Sequence, residues 1–64
     1  MTTDTFSLTV NGEPHRVAAG ASLADFVAKL GFDPAKVAVE RNLAVVPRST
    51  YGDVRLAEGD ALEI

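Results

Sequence analysis

Cysteine and tryptophan are both missing from this sequence, and histidine occurs once. Without cysteine there is no disulfide framework, no thiolate nucleophile and no cysteine-based zinc site, whatever the compartment. The lone His15 has no second imidazole to share a metal and no identifiable nucleophile beside it, so it reads as a structural or surface residue rather than a base or ligand. Basic residues are in the minority, 6 Lys and Arg against 9 Asp and Glu, for a net charge of −3. A nucleic-acid binder needs a basic stripe to release counterions, so nucleic acid is not an expected partner.

Long apolar runs are lacking too. Nothing approaches the ~20 residues that span a bilayer, and no membrane association is expected. The opening Met1 to Phe6 has no basic region followed by an apolar stretch, so no secretory signal is read and a cytoplasmic location is expected. What is present is an apolar fraction of 47% in 64 residues. That is too much for a disordered chain and enough for a single small domain over residues 1–64, stabilised by packing alone.

Phe6, Leu8 and Val10 alternate with Ser7 and Thr9, the period of a half-buried strand. Asn11-Gly12 follows as a type I′ hairpin turn, and a second strand from about His15 to Ala18 returns antiparallel. Ser22 is placed as an N-cap, with Asp25 three residues on. Leu23, Phe26, Val27 and Leu30 then form one apolar stripe at helical spacing. Gly31 is the C′ stop, Phe32 is expected to fold back onto the core, and Asp33-Pro34 opens a turn.

Beyond it the pattern predicts a central strand at Val37–Arg41, a turn at Asn42 and a shorter strand at Leu43–Val46 stopped by Pro47. Ser49 to Asp53 reads as an irregular turn and Glu58-Gly59-Asp60 as a tight one. A last strand from Ala61 to Ile64 points Leu62 and Ile64 inward. The order β, β, α, β, β, β is that of an α+β, ubiquitin-like β-grasp: a mixed sheet of four to five strands with one helix packed across it, first and last strands parallel neighbours.

No catalytic constellation emerges. Asp53, Glu58, Asp60 and Glu63 crowd the last third, but Val54, Arg55 and Leu56 interrupt any cation loop, so these carboxylates read as solvated turn charges. The glycines are isolated and cradle no phosphate. Ser22 and Ser49 have no activating base, and Tyr51 reads as a packed loop aromatic. No metal or other cofactor is implied. The segment Leu43 to Ser49 is richer in apolar character than a turn needs, which suits either an edge strand or an interface.

Five blocks give the chain a family likeness: Leu8-Thr-Val-Asn-Gly-Glu13, Leu23-Ala-Asp-Phe-Val-Ala-Lys-Leu-Gly31, Val37-Ala-Val-Glu-Arg-Asn42, Val45-Val-Pro-Arg-Ser49 and Glu58-Gly-Asp-Ala-Leu-Glu-Ile64. Together they resemble the ThiS family, the small sulfur carriers of thiamine biosynthesis. The resemblance implies a non-enzyme whose last strand leads into a Gly-Gly tail. It implies a ThiF-like enzyme that adenylates the terminal carboxylate, a sulfur donor protein that converts it to a thiocarboxylate, and a ThiG-like thiazole synthase that takes the sulfur. No Gly-Gly is found up to Ile64, so the native gene is expected to continue past it. A MoaD-like carrier for molybdopterin and a β-grasp interaction module with no transferable group are the alternatives. The surface expected to meet partners is Val46, Pro47, Arg48, Leu62, Glu63 and Ile64.

Overall fold

A computed structural model describes residues 4–64; Met1–Thr3, which begin both the segment read for a leader and the domain assigned to 1–64, lie outside the described residues. Five strands and one helix follow in the order β1 Thr5–Val10, β2 Glu13–Ala18, α1 Leu23–Lys29, β3 Glu40–Arg41, β4 Ala44–Val45 and β5 Ala61–Glu63. They form one mixed sheet in the order β2-β1-β5-β3-β4.

The first hairpin forms as its turn dictates. Asn11 and Gly12 both have positive φ, 51° and 86°, and Val10 pairs with Glu13 directly across them. β2 begins two residues earlier than His15 because it is an edge strand, where the missing N–H of Pro14 need not meet a neighbour.

The helix is short and capped at both ends. Ser22 Oγ accepts from the Asp25 N–H at 3.1 Å. At the other end Gly31 takes φ 96°, its N–H donates to Ala28 at 3.0 Å, and the Phe32 N–H donates to Val27 at 3.2 Å, a Schellman stop. Leu23, Phe26 and Val27 are buried and Leu30 half-buried, as the stripe predicts. They pack with Leu8, Val10 and Val17 from the sheet and with Val39, Tyr51, Leu56 and Leu62 from the second half of the chain. Each such Leu, Val or Phe contributes about 1.5–3 kcal/mol by leaving water.

Several expectations need correction. Phe32 does not fold onto the core but stays 44% exposed, because the reversal at Gly31 commits its N–H to Val27 and leaves the ring at the rim. The strand expected at Val37–Arg41 pairs only over Glu40–Arg41, and the centre of the sheet is β5. The cause lies at Val37, whose carbonyl accepts from Tyr51 Oη at 3.0 Å and Arg48 Nη2 at 3.3 Å rather than from a ladder. The irregular turn at Ser49–Asp53 is led by a 3₁₀ turn, Arg48–Thr50, opened by Pro47. Tyr51 is buried, as a packed loop aromatic should be.

The second hairpin is tighter than expected. Arg41 pairs with Ala44, so Asn42 and Leu43 are the two turn residues, with φ of 51° and 70°. Asparagine tolerates this left-handed geometry. Leucine there carries a cost of about 1 kcal/mol.

A central strand clamped at both ends

The last strand lies between β1, parallel to it, and β3, antiparallel to it. It is only three residues long, yet side chains from both hairpin turns hold its ends. At its start the Asn42 N–H donates to the Ala61 carbonyl at 2.8 Å, and Asn42 Oδ1 accepts from the Ala61 N–H at 2.9 Å. At its end Asn11 Oδ1 accepts from the Ile64 N–H at 3.0 Å and Asn11 Nδ2 donates to the Ile64 carbonyl at 3.5 Å. The Asn11 N–H itself donates to Leu62 at 2.8 Å. Two asparagines, each with φ 51°, thus continue the ladder where the backbone has run out of partners.

Asp60, just before β5, is the polar hub of this arrangement. It is buried, which corrects its reading as a solvated turn charge. Oδ2 accepts from Arg41 Nε at 2.9 Å and from the Ala57 N–H at 2.9 Å, and lies 2.9 Å from Arg41 Nη2; Oδ1 accepts from Asn42 Nδ2 at 3.1 Å. Burial by itself raises the carboxyl pKa. The hydrogen bonds from Ala57, Asn42 and Arg41, with the Arg41 charge, outweigh it and hold the group below the ordinary aspartate value. Arg41 Nη2 also reaches the Arg55 carbonyl at 3.1 Å, tying β3 to the loop before β5. Glu58 Oε2 accepts from the Ser7 N–H, a second contact that its reading as a turn charge did not include.

The residues expected at the partner surface differ in exposure and lie on more than one element. Leu62 is 1% exposed and belongs to the core, so it is not available to a partner. Val46 and Ile64 are half-buried against that core. Glu63 is exposed on β5, whereas the exposed Pro47 and Arg48 follow β4, with β3 between the two groups. Asn11 and Asn42 were legible only as turn formers. The signal that identifies them as clamps is the pairing of β5 with both neighbours, which brings residues 53 apart together.

Among the described residues no nucleophile is hydrogen-bonded to a base. The His15 ring stands edge-on to Phe26 at a centroid distance of 6.0 Å, and Ser22 Oγ caps the helix. Among the described residues no group of three or more His, Cys, Asp or Glu side chains is placed to hold a metal ion. No helix among them is long and apolar enough to cross a membrane. What the geometry can do is present the end of a central strand in a fixed direction.

One helix across a mixed five-strand sheet, with first and last strands parallel neighbours, defines a ubiquitin-like β-grasp domain. The fold is shared with a crystal structure of the thiamine biosynthesis protein ThiS from Geobacter metallireducens, at a TM-score of 0.75 and 34% identity over 91% of this chain and 88% of that one. A solution structure of a thiamine biosynthesis protein from the same organism gives a TM-score of 0.75 and 29% identity over 92% and 80% of the two chains. The ThiS family pattern matches residues 8–64. The chain belongs to the ThiS family.

Two longer relatives are similar in sequence. A thiazole synthase from Magnetococcus marinus is 56% identical over 55 residues, which is 86% of this chain and 17% of that protein. One from Paramagnetospirillum magneticum is 46% identical over 57 residues, 89% of this chain and 18% of that protein. The chain therefore spans less than a fifth of the length of the curated relatives it matches.

Proposed function

We propose that the chain is a sulfur carrier for thiazole formation in thiamine biosynthesis, a cytoplasmic protein substrate rather than an enzyme. The reacting group is the terminal carboxylate of a tail that follows Ile64. A carboxylate is a poor acceptor for sulfur until adenylation gives it a leaving group. A ThiF-like enzyme supplies that activation with ATP, releasing pyrophosphate; a sulfur donor protein then delivers sulfide-level sulfur, whose attack on the acyl carbon breaks the bond to AMP and leaves the thiocarboxylate. A thiazole synthase, ThiG-like, consumes it.

The observation that carries this reading is β5. Its place at the centre of the sheet and the grip of Asn11 on Ile64 suit a domain whose working part is the segment leaving that strand. Membership of the ThiS family supports the chemistry. The match to part of two thiazole synthases supports the last partner, and supports a carrier that works close to, or on the same polypeptide as, the synthase. Exposed Pro47, Arg48 and Glu63, with the accessible parts of Val46 and Ile64, are the proposed partner contacts around the exit. Exchange of one terminal oxygen for sulfur, in the full native chain supplied with adenylating enzyme, ATP and sulfur donor, is the test. A chain that gains no sulfur contradicts the reading.

A further inference from the structure

The β3–β4 hairpin breaks local rules in one place without return in stability. Leu43 sits in left-handed backbone geometry, φ 70°, where Asn or Gly is favoured, and its side chain is 90% exposed. Neither the turn nor the core gains from a leucine there. Val45, two residues on, is 75% exposed. In register Val45 lies opposite Glu40, and Glu40 lies opposite Glu63, so these three form a row on one face across β4, β3 and β5. Glu40 and Glu63 are like charges facing each other, and neither has an ion-pair partner among the described residues. Such facing charges oppose sheet pairing. Strain, exposed apolar surface and unrelieved charge in one patch mark a surface arranged for something other than folding.

We propose that this row and the Leu43 tip are the docking surface for the adenylating enzyme, which offers an apolar socket to Leu43 and Val45 and basic side chains to Glu40 and Glu63. The inference rests on the carrier reading. Charge and place select this occupant: Glu40 and Glu63 suit a basic partner surface, and Glu63 is the last β5 residue before Ile64, beside the terminus on which the adenylating enzyme acts. The patch is distinct from Pro47 and Arg48, and it places the anchor on the hairpin tip.

The signature of such a surface is opposite movement of stability and binding. In the full native chain, Leu43→Asn relieves the turn and raises the thermal midpoint while weakening affinity for the adenylating enzyme, measured without ATP, by about tenfold. Glu40→Gln with Glu63→Gln weakens the same affinity and flattens its dependence on salt. Wild-type binding with unchanged affinity in Leu43→Asn overturns the surface and leaves the carrier reading standing. Affinity lost only toward thiazole synthase, or a self-associated chain that Leu43→Asn makes monomeric with enzyme affinity intact, also overturns it. Absence of wild-type binding to the adenylating enzyme refutes both readings.

Discussion

Asp60 shows how much one residue conceals in a sequence. Between Gly59 and Ala61 it looks like part of a solvated turn, yet its carboxylate joins Arg41, Asn42 and Ala57. Asp60→Asn removes the charge that Arg41 faces and is expected to cost about 1–3 kcal/mol in urea denaturation. Its pKa is depressed in the fold, so its contribution is fully present above the ordinary aspartate value of about 3.9 and is lost as pH falls through the lower folded value. The wild type should therefore lose stability on acidification in that range, and Asp60→Asn should flatten that limb of the curve. An acid limb of equal slope in both proteins would count against the hub. Asn11 gives a local counterpart. Asn11→Gly keeps the turn geometry and removes the grip on Ile64, so amide exchange at Ile64 should quicken by roughly 2- to 10-fold with little change in global stability.

Elements were legible where their signals are local. Asn11-Gly12 announces its hairpin, and Ser22 with Asp25, the apolar stripe and Gly31 delimit the helix from within a dozen residues. β3 and β4 were harder, because two-residue strands have no period and owe their existence to β5 beside them. Val37 carries the alternation of a strand but is diverted by Tyr51 and Arg48, partners 14 and 11 residues away. Leu43 was read as strand because an apolar residue seldom takes a left-handed turn position. The inward direction of Leu62 was legible from alternation alone, and it matters because β5 is held to the helix side by that one fully buried leucine. Leu62→Ala should cost about 2–5 kcal/mol, visible as a lowered urea midpoint. A midpoint close to wild type would mean that β5 is held by its clamps rather than by the core.

At the scale of the whole molecule, the β-grasp order followed from counting elements, and the radius of gyration of 11.1 Å agrees with the ~11 Å of a compact chain of this length. The partner surface was less legible. Leu62, Glu63 and Ile64 are neighbours in sequence, but Leu62 and Ile64 pack on the core and Glu63 is exposed, while Glu40, Val45 and Glu63 meet only through strand register. The proposed carrier role accounts for the lack of a nucleophile–base pair among the described residues: a body that presents a strand end would leave chemistry to the segment it presents and to its partners. Intact-mass measurement on the full native chain, after incubation with adenylating enzyme, ATP and a sulfur donor, tests this most directly. The account predicts an ATP-dependent gain equal to the replacement of one terminal oxygen by sulfur; a chain whose mass is the same with and without ATP contradicts it.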